Sequence, residues 1–462
     1  MTDQIKTVLG CGATIHSRIT SLLSFRGRFD GLISKLGYFR VMSIYALDRF
    51  TYLIVNFIAY PIVARAYGPE TLGRYSLAQT IVSIVTPFLA AGAEAIVIRD
   101  LARRSHDRGP VAGSAALMIS LFTIPAVSAP IIYAWAVYPG DTLMDGLIWW
   151  LAIAFIPTPI YVIDFLWKSE LRPAYSVLPR LLIMPLALVA KAVAARAGFS
   201  IIAIAAITAF EAWISASLVV IVYFFKRRPN ERWGLDRNVL GVLFRQTLPA
   251  MIAWLIGFIF FRITHLMLGY LSDYKEVGIY SVAYQLIQIP NMLPTIVLTT
   301  CYPRLVALKE ENPERYHAYL DKLLSFFSLA GWALVVGILL LGDWGVTKLF
   351  GAGFSGSGPV LLLLSLSTLV NFSGAVRGQV IFIANRPNLH VLSALVGLAI
   401  MVPANLLLIP HWGALGGAAA VTIASFVVNM LTSLMFAETN FVGRLQFRRL
   451  FFPSLSFWKL PA

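Results

Sequence analysis

Long apolar stretches recur along the chain, separated by short polar segments that carry most of the basic residues. A helix needs ~20 mostly apolar residues to cross a bilayer core. Twelve stretches qualify, at roughly 42–64, 77–98, 111–137, 147–166, 174–190, 200–225, 247–270, 279–301, 323–342, 359–384, 389–409 and 414–436. Strand-type alternation of apolar and polar positions is absent, which excludes a β-barrel. The pattern predicts an all-α polytopic membrane protein with about twelve transmembrane helices.

Composition agrees. Of the 462 residues, 58% are hydrophobic and 13% charged, against ~45–50% and ~25% in a soluble domain. An ordinary soluble fold, a disordered chain and a collagen-like fibre are excluded. The net charge is +15, which in a soluble protein would point to nucleic acid. Its distribution says otherwise. With both ends inside, the segments 1–40, 99–108, 168–172, 226–245, 304–322, 386 and 444–459 hold 27 Lys and Arg, and the outer loops hold 6. That bias puts both termini in the cytoplasm, and no nucleic-acid partner is needed. Residues 1–40 read as a basic amphipathic segment on an anionic membrane face. They lack the apolar core of a secretory signal. Cys11 and Cys301 give no disulfide or metal framework.

The chain repeats itself. Gly73-Arg74-Tyr75-Ser76-Leu77-Ala78 enters span two, and Gly278-Ile279-Tyr280-Ser281-Val282-Ala283 enters span eight, 205 residues on. Gly198 and Gly413, 215 apart, precede the small-residue runs that open spans six and twelve. Six spans per half predict two six-helix bundles of like orientation with a central cavity between them. The expected organisation is a first bundle at 41–225, a basic cytoplasmic linker at 226–245, a second bundle at 246–437 and a basic cytoplasmic tail at 438–462.

Three segments carry a family resemblance. Arg65-Ala66-Tyr67-Gly68-Pro69-Glu70-Thr71-Leu72-Gly73-Arg74-Tyr75 resembles the first-loop signature of bacterial polysaccharide-unit flippases, in the multidrug/oligosaccharidyl-lipid/polysaccharide exporter superfamily. Leu349-Phe350-Gly351 with Gly353-Phe354 is similar to the family's loop before span ten, and 409–418 to the start of its span twelve. The likeness runs from about 40 to 440. It implies a transporter, not an enzyme, that moves a polyprenyl-diphosphate-linked oligosaccharide to the outer leaflet of the bacterial cytoplasmic membrane, for exopolysaccharide, capsule or O-antigen synthesis. It also implies contact with membrane lipids and, as protein partners, a polysaccharide polymerase and chain-length proteins. One departure stands out: many relatives carry an Asp soon after the Arg of span seven, where this chain has Thr264.

Charges inside spans mark the candidate chemistry, because each costs about 2.5–3.5 kcal/mol at the bilayer centre. Arg49, Arg262 and Arg377 are read as substrate-binding: a guanidinium fork holds phosphate with two parallel bonds. Asp48, Glu94, Asp164 and Glu211 are the candidates for ion coupling, with His265 as a further proton acceptor. Arg180, near the inner end of span five, is expected to snorkel to headgroups. Pro157, Pro159, Pro290 and Pro294 are candidate helix breaks; Pro185 is read as ordinary membrane-helix proline. No cofactor is expected. Residues 351–356 fit G-x-G-x-x-G but follow a span rather than a strand, and no Walker loop or His-Cys cluster occurs. Two alternatives remain open at this level: a multidrug antiporter of the same superfamily, which should have an acidic, aromatic pocket, and a polytopic enzyme acting on lipid-linked sugars.

Overall fold

The computed structural model describes residues 3–103, 108–226, 233–386 and 388–454, with side chains from 41 onward except at 42, 90 and 91. The amphipathic face expected for 1–40 therefore lies outside the described side chains. Among the described residues the chain is helical, without strands: α1 Asp3–Ser83, α2 Glu94–Arg103, α3 Gly109–Val137, α4 Thr142–Ile153, α5 Tyr161–Ser169, α6 Ala174–Arg196, α7 Ile201–Lys226, α8 Arg237–Leu271, α9 Tyr274–Gln288, α10 Leu293–Glu311, α11 Pro313–Phe350, α12 Ser357–Ile383, α13 Asn388–Phe426, α14 Thr432–Met435 and α15 Asn440–Phe451.

Nine helical stretches among these residues are long and apolar enough to cross a membrane. Two of them fold double. Tyr60 Oη lies 2.8 Å from Ser76 Oγ, 16 residues on, where a straight helix would hold them ~24 Å apart. The reversal is at Gly68 (φ 74°), a backbone setting open to glycine, and Pro69 starts the returning limb. Likewise a Cβ on Gly416 would lie 2.2 Å from the Leu408 carbonyl oxygen; α13 reverses at Gly413 (φ 51°). The remaining difference from twelve is α9 and α10, which share one span broken by the 3-10 turn Pro290–Met292.

The other breaks also follow from proline. A π segment at Pro87–Ala91 separates α1 from α2, and a 3-10 turn at Thr158–Ile160 separates α4 from α5. Pro185 sits within an unbroken α6. Asp141, Asp236, Asp273 and Asn312 cap the starts of α4, α8, α9 and α11 through their side chains, each satisfying an orphan backbone N–H. Large apolar side chains such as Trp135, Phe225, Leu340 and Leu407 are exposed, as a surface in contact with lipid requires.

The two repeats meet at the end of the molecule that carries the Gly68 and Gly413 reversals. The second limb of α1 crosses α9 so closely that a Cβ on Gly73 would lie 1.7 Å from the Tyr274 oxygen, and one on Gly278 1.9 Å from the Pro69 oxygen. A buried apolar cluster spans this junction, with Leu72, Leu77 and Ala78 from one lobe and Val277, Tyr280 and Val282 from the other. At the opposite end the described residues of the two lobes meet along α8. The first half of α8 packs on the first lobe, where Met251 fills the space beside Gly92 and Arg99 Nη2 donates to Gln246 Oε1 at 2.6 Å. The Gly234 N–H donates to the Gly109 carbonyl at 3.2 Å. The second half of α8 belongs to the second lobe, where Asn405 Nδ2 donates to Thr264 Oγ1 at 3.1 Å. Helix α8 thus begins at Arg237, inside the stretch expected as linker. Helix α15, in the expected tail, packs along α11.

Candidate functional site

Three of the four candidate acids share one cluster in the first lobe. Glu94 opens α2, where a negative charge suits the helix dipole. Asp164 and Lys168 lie one turn apart on α5, on one face. Lys168 Nζ is 2.6 Å from Glu94 Oε1 and 2.9 Å from Asp164 Oδ2. Beside them Arg180 Nη2 is 3.3 Å from Asp48 Oδ2. The expectation that Arg180 reaches for headgroups is corrected here: α6 packs on α1, which brings the Asp48 carboxylate to the guanidinium. Asp164 is 6% exposed, and its Oδ1, like that of Asp48, accepts no hydrogen bond from the described residues. Glu211 stands apart, paired with Lys191 at 2.9 Å.

The three candidate arginines occupy three different settings. Arg49, next to the cluster on α1, is exposed, with its guanidinium 6.0 Å from the Tyr52 ring centre. Arg262 is half-buried at the junction of the lobes, 5.7 Å from the Phe258 ring and 5.5 Å from that of Tyr284. Neither makes an ion pair among the described residues. Arg377 is 2% exposed, inside the second lobe. It donates to the Val428 carbonyl at 3.1 Å and to Ser393 Oγ at 2.7 Å. Val428 lies in the π segment Val427–Leu431, whose altered bonding frees carbonyls. Arg377 thus serves the backbone of its own lobe, and the structure does not bring it to the other two.

Aromatic and hydroxyl groups that composition alone leaves unmarked surround Arg262. His265 sits edge-on to Tyr280 and Tyr284, each centroid 4.7 Å away. Tyr60 bonds Ser76 and also faces Ser281, the matching serine of the other repeat. The repeat G-x-Y-S-x-A was the one signal that could have located this collar. Thr264 is buried and taken up by Asn405, a neutral pair.

Cations also close the end where the repeats meet. Arg65 Nε donates to the Leu349 carbonyl at 2.8 Å, and its Nη2 to that of Lys348. A first-lobe cation thus caps the carbonyl end of α11 in the second lobe, where the helix dipole favours it. Arg74 pairs with Asp141 at 3.1 Å and covers the Tyr274 ring at 4.5 Å. Glu276 Oε2 accepts from the Ala414 N–H at 2.7 Å, steadying the α13 reversal.

A family model described as polysaccharide biosynthesis protein matches residues 62–359. The capsular polysaccharide biosynthesis protein CapF of Staphylococcus aureus is 25% identical over 186 residues, 40% of this chain and 47% of that protein. The probable low-salt glycan biosynthesis flippase Agl15 of Haloferax volcanii is 21% identical over 211 residues, 43% of this chain and 44% of that protein. The match thus spans less than half the length of these curated relatives. Among solved structures, the inward closed conformation of the lipid II flippase MurJ superposes with a TM-score of 0.72 at 11% identity, over 88% of this chain and 90% of that one. It shares the two-lobed fold. This multi-pass membrane protein belongs to the polysaccharide biosynthesis protein family.

Proposed function

We propose that the protein flips a polyprenyl-diphosphate-linked oligosaccharide from the inner to the outer leaflet of the bacterial cytoplasmic membrane, with both termini in the cytoplasm. The observation that carries this reading is a contrast among the deep cations. Lys168, Arg180 and Lys191 are matched by carboxylates, whereas Arg49 and Arg262 make no ion pair among the described residues. Two guanidinium forks without a resident anion suit a diphosphate.

The route follows from where the lobes touch. They are joined at the outer end and, at the inner end, along α8. On the opposite inner flank α1 exposes Leu47, Phe50 and Ile54, and α10 exposes Ile296. The diphosphate enters there, meets Arg49 and passes to Arg262, while the prenyl tail stays in lipid beside the apolar flank. Parting of the Gly73–Gly278 joint then opens the outer side. The substrate leaves with its bonds unchanged, so no catalytic group is required. Export to a positive exterior is worth ~2.3 kcal/mol per negative charge per 100 mV. Asp48, Glu94 and Asp164 form the group through which a proton or cation is coupled to the motion, with Glu211 outside it. Arg377 acts as a positioning residue for the second lobe. A polymerase and chain-length proteins receive the product.

The test is translocation of a fluorescent lipid-diphosphate sugar in proteoliposomes. Arg49→Ala and Arg262→Ala are each expected to slow it about tenfold or more, since a hydrogen bond to a charged group is worth ~1.5–3 kcal/mol. Normal rates in both variants would overturn the diphosphate path. Drug efflux without sugar-lipid movement would favour an antiporter.

A further inference from the structure

The C-terminal helix α15 builds a second basic site, remote from the seam between the lobes. It runs beside α11 in the same direction. Near its start Phe441 packs against His317 with ring centres 4.6 Å apart and planes tilted by 45°. Near its end the Leu450 carbonyl accepts from Trp332 Nε1 at 2.7 Å and from Ser328 Oγ at 3.4 Å. Between these points Arg449 clamps Asp321 with both arms of its fork, Nε to Oδ1 at 2.6 Å. Gly443 lets α15 approach Ser433 and Leu434, since a Cβ there would fall 3.0 Å from the Ser433 carbonyl carbon. The helix is thus fixed against its lobe, not trailing from it.

A cavity of about 560 Å³ opens beside the start of α15, walled by His317, Asn440, Phe441, Arg444, Leu445 and Arg448. No carboxylate lines it. Arg444 and Arg448 are one turn apart, both exposed, and neither makes an ion pair among the described residues. Arg449, the next residue, is neutralised by Asp321. Two adjacent cations on one helix face repel each other by a few tenths of a kcal/mol, so the pair suits an anion held between them.

Depth identifies that anion. Asp321 lies just before the span of α11, which begins near residue 323. Trp332 is well inside it, and the exposed Phe451 and Phe452 close the end of α15. Arg444 and Arg448 therefore stand at the headgroup level of the inner leaflet, with aromatic side chains below them at acyl-chain depth. Basic pockets of this kind on the cytoplasmic side recognise phosphate headgroups. We propose that the cavity between α11 and α15 binds the phosphate of an anionic membrane phospholipid, held by Arg444 and Arg448, as a site separate from the transport path.

The experiment uses the full-length protein in nanodiscs of mixed phosphatidylglycerol and phosphatidylcholine, with retained lipid counted by native mass spectrometry. Arg444→Gln/Arg448→Gln should retain phosphatidylglycerol about tenfold less well, as loss of charge-assisted bonds predicts. Arg315→Gln, an exposed cation elsewhere on the same end, should retain it normally. Arg444→Lys/Arg448→Lys, which keeps both charges, should give an intermediate result, and unfolding temperatures verify that all variants are folded. Inorganic phosphate and pyrophosphate are added in parallel: displacement of the lipid from the parent protein alone assigns the contact to the phosphate group itself. Lack of displacement, with loss in the Gln pair, assigns it to the lipid in its membrane setting. Equal retention by the parent and the Gln pair, or equal retention of phosphatidylcholine and phosphatidylglycerol, would overturn the proposal.

Discussion

Gly73 and Gly278, equivalent positions of the repeat, lie against each other's helices: a Cβ on either would sit within 2 Å of a carbonyl oxygen of the opposite lobe, at Tyr274 or Pro69. Those obstacles are backbone atoms, which cannot swing aside as a side chain can. Gly73→Ala should therefore hold the outer joint apart. In a cysteine-free background carrying Ser76→Cys, an impermeant thiol reagent should label the alanine variant from outside and leave the glycine parent unlabelled. Translocation should fall about tenfold, the scale of a ~1.4 kcal/mol shift in the closed population. Equal labelling would mean that the joint closes in some other way.

Arg65 gives the same joint a polar half. Arg65→Gln removes the charge that faces the last carbonyls of α11, a loss of about 1 kcal/mol from the dipole and hydrogen-bond terms. The outward-open population should rise about fivefold, readable as a longer spin–spin distance between labels on the first loop and the end of α11. The fold should remain intact, because Arg65 is exposed.

The first-lobe cluster should behave as a unit. Lys168→Met leaves Glu94 and Asp164 facing each other without a cation, and breaking such a pair on one side typically costs 3–5 kcal/mol. A marked fall in unfolding temperature is expected in detergent. Adding Asp164→Asn to Lys168→Met should restore much of it. An additive double variant would argue that Lys168 and Asp164 act independently.

Arg377 and Arg262 should separate by their readouts. Arg377→Met strips the π segment of its donor and lowers stability by about 3 kcal/mol, while translocation per folded molecule changes little. Arg262→Gln should do the reverse, leaving the unfolding temperature near that of the parent and slowing transport. A large transport defect in Arg377→Met at unchanged stability would return that residue to the substrate path.

The spans were legible because hydropathy is a local property: every apolar stretch in the sequence corresponds to helix, and the reversals at Gly68 and Gly413 fall between stretches. The repeat was legible as well, through Gly73 and Gly278, but not the fact that the two copies touch. A sequence shows that a buried charge is costly and not what stands opposite it. Arg49, Arg180, Arg262 and Arg377 therefore looked alike or were sorted by depth, whereas the fold gives Arg180 to Asp48, Arg377 to a bent stretch of its own helix bundle, and gives Arg49 and Arg262 no ion pair among the described residues. The partners lie far off in sequence, as do Thr264 and Asn405, and no periodicity reports them. Helix α15 was hidden by its own basic residues, which made it read as a tail.

Helix α8 starts on one lobe and ends in the other, and the segment leading into it is pinned by the Gly234 N–H on Gly109. Among the described residues the molecule therefore has a spine along one side. In the proposed route it opens like a book along a single edge while the bound edge stays shut, so a long sugar chain and its lipid need never be threaded through a closed ring.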